Sequence, residues 1–310
     1  MAEVADIRAS DARSVAAALS AVERGGDEAE RLLARLAGRT GRARTVGVTG
    51  APGVGKSTLV QALGSVLLAE GARVAVLAVD PSSPFTGGAL LGDRVRMPHL
   101  LERGAFVRSM ATRGALGGLA AAASDAIDVL DAAGFEWVVV ETVGVGQDEV
   151  EVAGEVQTVV LVTVAGLGDD VQAAKAGVME IAHVFAVNKT DRGGADGQVA
   201  AIEAALALAP PLGWQPPVVR TSAITNEGVS DLAHAVREHQ RFLDGGDREA
   251  ARRRRSRRRV ERIVTGMIQR RIKGPLDAAF APVVEEVARG ALDPYAAARR
   301  VLETMGREGP

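Results

Sequence analysis

Gly50, Gly55, Lys56 and Ser57 fall in the spacing G-x-x-x-x-G-K-[ST] within GVTGAPGVGKSTL. These residue types, so spaced, make an anion cradle. Glycine lets successive backbone N–H groups curl around a phosphate, and a helix starting at the lysine adds the positive end of its dipole. The run Gly50, Ala51, Pro52, Gly53, Val54, Gly55, Lys56, Ser57 and Thr58 therefore supplies the candidate phosphate contacts. Lys56 would reach the β- and γ-phosphates, and the Ser57 hydroxyl would ligate Mg²⁺. An idle glycine-rich turn is the competing reading in a chain with 36 glycines. The strand-like TVGVT before the loop and the helix-like STLVQALGSVLLAE after it favour the cradle.

A second constellation, FAVNKTD, puts Asn188, Lys189 and Asp191 just after a predicted strand. In N-K-x-D the aspartate carboxylate can accept from guanine N1–H and from the exocyclic amine. Adenine lacks that donor pair, so a carboxylate set for guanine is left unpaired against it. A third, RTSAITNEGV, ends a strand with Thr221, Ser222, Ala223 and Ile224, small residues whose backbone N–H groups could meet the guanine carbonyl. Together the three select GTP and GDP over adenine nucleotides. Two carboxylates close strands: Asp80 after VAVLAV and Glu141 after WVVV. Mg²⁺ held between protein and phosphates needs only one or two. Glu141 to Gly144 also reads as D/E-x-x-G, whose glycine amide could sense a γ-phosphate. Gln147 lies three residues past that glycine and is given no water-orienting role.

Several elements must position these residues. Apolar runs at Thr45–Thr49, Val74–Val79, Ala105–Arg108, Trp137–Glu141, Thr158–Val164, Val184–Asn188 and Val218–Thr221 predict strands. Several are continuous rather than alternating, as in strands covered on both faces. Helical segments lie between them, so the expected fold is α/β, a P-loop NTPase with a mostly parallel central sheet flanked by helices. Helical spacing before and after predicts N- and C-terminal helical extensions: residues 1–42, a nucleotide-binding domain over 43–242, and 243–310.

Composition narrows the function further. The chain has 310 residues, a net charge of -2, 3% aromatics and no cysteine. It can build no disulfide or thiolate-metal site, and its core must be aliphatic. The start lacks a signal-peptide pattern and no apolar run is membrane-length, so a cytoplasmic protein without membrane or nucleic-acid partners is expected. The run Arg252–Arg259 could be a nucleic-acid or anionic-surface patch, but with no aromatics interleaved in a slightly acidic chain it reads better as a solvated or interface-facing helix start. His99, His183, His234 and His239 show no metal spacing. Arg108 and Arg113 could contact phosphate or cap the sheet edge.

The assembled motifs resemble the methylmalonyl-CoA mutase-associated GTPases, the MeaB/ArgK type within the SIMIBI class. The resemblance covers about residues 43–242 and rests on the segments above together with VLAVDPSSPFTGGALLGDRVRM, RSMATRGALGGLA, VVVETVGVGQDE and GLGDDVQAAKAGVMEIA. It implies a GTPase that docks on an adenosylcobalamin-dependent acyl-CoA mutase and gates cofactor loading, with C-terminal helices forming a homodimer. By motif, Asp80 and Asp93 resemble switch carboxylates near Mg²⁺, and Glu141 a Walker-B-like acid. Gln172 and Lys175 resemble the segment coupling the partner to hydrolysis, with the lysine acting as an arginine finger does. The chain departs from the family pattern at Val171, Ala173 and Ala174, at Asp148, and at His183, where an Asp is usual. Two other functions compete: a metallocentre-maturation GTPase, which needs Cys or His ligands, and a kinase acting on a transport protein.

Overall fold

The computed structural model describes residues 7–79, 97–110, 118–142, 151–166, 178–208, 213–273 and 277–307. Seven strands form one sheet: β1 (Arg44–Gly50), β2 (Val74–Val79), β3 (Phe106–Met110), β4 (Trp137–Thr142), β5 (Thr158–Val164), β6 (Val184–Asn188) and β7 (Val218–Arg220). Their order is β3-β2-β4-β1-β5-β6-β7, and every pairing between them is parallel. All seven predicted strands are present. β1 lies centrally, with Val46 opposite Val139 on one side and Thr158 on the other.

The helices in chain order are α1 (Ala12–Arg24), α2 (Gly26–Leu36), α3 (Lys56–Ala69), α4 (Pro98–Glu102), α5 (Gly118–Ala133), α6 (Val178–Ile181), α7 (Ala195–Ala207), α8 (Val229–Phe242), α9 (Arg248–Lys273), α10 (Asp277–Ala288) and α11 (Pro294–Arg307). The continuous apolar strands resolve into two alternating sets. Along β4, Val138 and Val140 face the core shared with α1, α2 and α5, while Trp137 and Val139 face the core shared with α3 and α8. Strand residues alternate faces with period two, so a strand buried on both sides must be apolar throughout.

The alanine-rich start of α5 explains how so few aromatics suffice. Ala120, Ala122, Ala123 and Ala126 let α1 approach closely, and its Val15, Leu19 and Val22 are buried against that face. Asp11 caps α1 by accepting from the Arg13 and Ser14 N–H groups, both at 3.1 Å. Leu32 and Leu36 of α2 join the same core, whereas Leu33 is only partly buried. Buried Asp131 of α5 gathers the backbone N–H groups of Gly41, Arg42 and Ala43 at 2.5 to 3.3 Å, fixing the entry into β1. Arg108 of β3 binds Ser20 Oγ at 2.9 Å and Glu23 at 3.2 Å on α1. Arg113 lies outside the described residues.

The chain divides into two compact units, residues 1–257 and 258–310, with the division inside α9. In the second unit, Val283, Ala297 and Val301 form a small core, and Arg300 pairs with Glu286 at 2.9 Å. Asp293 caps α11 through the Tyr295 and Ala296 N–H groups, each at 3.0 Å.

Candidate functional site

The loops leaving β1, β6 and β7 all emerge at the carboxyl edge of the parallel sheet, where order reverses around the central strand. That edge is where open α/β sheets bind ligands. The candidate phosphate loop, Gly50–Ser57, passes from β1 directly into α3. Two of its glycines are required by close approach. A Cβ on Gly50 would lie 2.2 Å from the Val162 carbonyl oxygen, and one on Gly55 would lie 2.6 Å from Asn188 Nδ2. Both also have positive φ, 149° and 94°, which side-chain-bearing residues rarely adopt.

Lys56 is 7% exposed and turns its ammonium onto the loop, donating to the Gly50 carbonyl at 2.7 Å and the Ala51 carbonyl at 3.0 Å. Its charge is thus held against the first residues of the loop. Ser57 Oγ donates to Glu141 Oε1 at 2.5 Å. A hydroxyl and a carboxylate brought to one point are the hard oxygen donors that Mg²⁺ takes, so these two residues fit that ion. The buried hydroxyls of Thr49, before Gly50, and Thr142, after Glu141, have no hydrogen-bond partner among the described residues.

The guanine motif is tied to this loop. Buried Asn188 donates from Nδ2 to the Val54 carbonyl at 2.9 Å, and Lys189 Nζ donates to the Gly53 carbonyl at 2.6 Å. Lys189 has φ 61°, a left-handed conformation that turns the chain so that Asp191 follows at the surface. The Asp191 carboxylate accepts from Ser222 Oγ at 2.7 Å. Asn188 Oδ1 accepts from Thr221 Oγ1 at 3.3 Å and from the Ala223 N–H at 3.1 Å. The Ser222 N–H donates to the Glu227 carbonyl at 2.9 Å. Of the amides expected to face the base, those of Ser222 and Ala223 thus serve the loop itself. Ile224, beyond them, is 70% exposed.

Thr221 braces the base loop through its hydroxyl, and sequence reading missed Glu227 and Gly228 there. Gly228 is needed there because a Cβ would meet the Arg220 carbonyl oxygen at 1.9 Å. Its only sequence signal was the NEG turn. The other expected site residues, Asp80, Asp93, Gln172 and Lys175, lie outside the described residues, as do Gly144, Gln147 and Asp148.

A family model described as "Methylmalonyl Co-A mutase-associated GTPase MeaB" matches residues 12–276. The chain belongs to the MeaB family of GTPases. A Pyrococcus abyssi protein that carries a provisional GTPase name is 46% identical over 302 residues, 95% of this chain and 93% of the relative. The GTPase ArgK of Escherichia coli is 42% identical over 67% of this chain and 65% of its own length. A mouse protein named methylmalonic aciduria type A homolog, mitochondrial, is 38% identical over 67% of this chain and 52% of its own. The crystal structure of a protein named LAO/AO transport system kinase superposes with a TM-score of 0.74 at 27% identity, covering 98% of this chain and 96% of that one. This MeaB-family GTPase accordingly binds guanine nucleotides, and its parallel sheet is the P-loop NTPase fold. Among its described residues no helix is long and apolar enough to cross a membrane.

Proposed function

We propose that this chain hydrolyses GTP as a gate and chaperone for an adenosylcobalamin-dependent acyl-CoA mutase of the methylmalonyl-CoA mutase type, in the cytoplasm and as a homodimer. The observation that carries the nucleotide half is the junction of Asn188 and Lys189 with the Val54 and Gly53 carbonyls. Base and phosphates are then read by one hydrogen-bonded unit. The mutase half rests on the family's own description.

In this reading the loop amides and Lys56 hold the triphosphate, and Asp191, oriented by Ser222, pairs with the guanine edge. Ser57 and Glu141, with Asp80 and Asp93 as further candidates, would hold Mg²⁺, which when bound neutralises phosphate charge. Lys56 adds positive charge to the γ-phosphoryl as it leaves for water, and Gln172 and Lys175 carry the partner's signal. Positioning and charge stabilisation do the chemistry, and no covalent nucleophile is required.

The dimer is supported by α9. Val260, Val264, Met267 and Ile268 recur at helical spacing along it and are 36 to 59% exposed. The unit that contains them has only a small core of its own, which is the condition in which small units gain from association.

The test is nucleotide-dependent co-purification with an acyl-CoA mutase, comparing GDP with a non-hydrolysable GTP analogue, alongside turnover of GTP and ATP. Equal turnover of the two triphosphates removes the base-pocket reading, and no nucleotide-dependent capture of the mutase removes the gate. Phosphate recovered on a protein acceptor instead of in water would favour the kinase reading, which the name of the superposed transport system kinase suggests.

A further inference from the structure

At the sheet edge opposite the phosphate loop, the strands begin around a cavity of about 590 Å³. Its wall includes Arg39, Arg42 and Arg44 on the segment entering β1, Arg73 before β2, and the apolar Phe135 and Trp137. That volume lies within the roughly 300–1,000 Å³ usual for small-molecule sites.

Three carboxylates border the same space, and each is engaged. Asp131 accepts from the three backbone N–H groups at Gly41, Arg42 and Ala43, bonds that fix the carboxylate but leave its single negative charge in place against the several arginines of the wall. Glu136 accepts from the Arg73 N–H at 2.8 Å and faces its guanidinium at 3.7 Å. Glu70 pairs with Arg237. Among the described residues, Arg42 and Arg44 face no carboxylate. Arg44 instead lays its guanidinium over the Trp137 ring, 5.5 Å from the centroid. Arg39 donates from Nη2 to the Ile7 and Ala132 carbonyls at 3.3 and 3.1 Å, which fixes its guanidinium at the cavity wall. Outside the cavity wall, the Arg252 guanidinium stands beside Gly41, with Nη2 3.0 Å from where a Cβ there would lie.

Like charges gathered on a concave wall repel one another and focus a positive potential into the space between them. An oxyanion placed there relieves that repulsion, and planar guanidinium forks match phosphate oxygens in pairs. We propose that this cavity is a second anion site, which takes a small phosphorylated ligand at the pole of the sheet opposite GTP. Concavity and volume favour a small ligand over an acidic protein segment, which would lie along an open surface. The occupant would touch both elements that carry the phosphate loop. β1 runs from Arg44 at the cavity to Gly50, and α3 runs from Lys56 to Ala69, just before Glu70 and Gly71 on the cavity wall.

The probe is pyrophosphate, titrated by calorimetry at low salt into the full chain saturated with GDP. One further pyrophosphate per chain is expected. Binding should weaken at least tenfold in Arg42→Glu and in Arg44→Ala, while Lys56→Ala retains it. Arg42 is solvent-exposed, so Arg42→Glu should keep the wild-type melting profile and the reading does not depend on Arg44→Ala folding well. Absence of binding to the GDP-saturated chain overturns the proposal, as does binding that survives both arginine changes. So does capture of an oligoglutamate peptide without any binding of pyrophosphate. Binding lost in Lys56→Ala but not in the arginine variants places pyrophosphate in the phosphate loop, which removes this second site and leaves the nucleotide reading intact.

Discussion

Asn188 Nδ2 donates to the Val54 carbonyl at 2.9 Å, joining the loop after β6 to the loop after β1. The same side chain accepts from Thr221 and Ala223, so three loops close on one amide. Asn188→Ala would strand a buried carbonyl, a hydroxyl and a backbone N–H. Each such loss costs about 1–3 kcal/mol where the group stays dry. GTP and GDP should therefore both bind at least tenfold more weakly, and the melting temperature should drop by several degrees. Fluorescent-nucleotide titration and thermal melting check both. Loss of GDP binding with an unchanged melting curve would show that Asn188 acts only on the ligand.

Ser222 is expected to position Asp191. Its hydroxyl donates to the Asp191 carboxylate at 2.7 Å, and hydrogen bonds to charged groups contribute roughly 1.5–3 kcal/mol. Ser222→Ala should weaken GTP about tenfold and reduce the preference for guanine over xanthine nucleotides in the direction of Asp191→Asn. Ser222→Thr, which keeps the hydroxyl, should restore it. Competition binding with GTP and xanthosine triphosphate gives the readout, and full selectivity in Ser222→Ala would assign the alignment of Asp191 elsewhere.

Lys56→Ala removes the one side-chain cation among the loop residues Gly50–Thr58. Loss of one preorganised charge donor at a transferring group costs on the order of a hundred- to a thousandfold in turnover. GTP hydrolysis should fall by that amount with the fold retained, measured by phosphate release at saturating GTP together with circular dichroism. Turnover within threefold of wild type would take the loop lysine out of the chemistry.

What could be read from the chain beforehand, and what could not, follows from the range of each interaction. The phosphate loop and the N-K-x-D motif were legible because their chemistry is carried by contiguous residues. Strands such as β2, β4 and β6 were legible because burial on both faces demands unbroken apolar runs, whereas the half-exposed β7 was marked only by Val218 and Val219. Strand order was not, since it depends on which crossover lies on which face. Arg108 was equally compatible with phosphate or a sheet edge, and its partners Ser20 and Glu23 on α1 are distant in sequence. Asp131 gave no sign that it would collect the amides before β1. The amides of Ser222 and Ala223 show a subtler limit: the motif identified the loop, but the loop's own bracing took up N–H groups expected to face the base.

His183 and His239 give the last prediction, because neither revealed its partner in the sequence. Their rings stack with centroids 4.1 Å apart, and Trp214 meets His239 edge-on at 5.0 Å. His183 Nδ1 accepts from the Val159 N–H at 3.0 Å, which requires a bare nitrogen there. Thr158 Oγ1 accepts from Gln240 at 2.7 Å and stands 2.9 Å from His239 Nδ1. Burial lowers His183 to about 4, helped by the positive field of Arg255. Burial likewise lowers His239 to about 3, helped by the neighbouring imidazole. In the unfolded chain both titrate near the ordinary value of about 6.5. Below that value the unfolded state takes up protons that the folded state refuses. The stabilising contribution is therefore complete above about 6.5 and is lost as pH falls from there towards 4 and 3. Urea unfolding should show stability dropping by on the order of a few kcal/mol between pH of about 7 and 4.5. His183→Gln, which keeps an acceptor for the Val159 N–H, should flatten that slope by about one proton. An unchanged slope in this variant would mean that other groups set the acid limit of the fold.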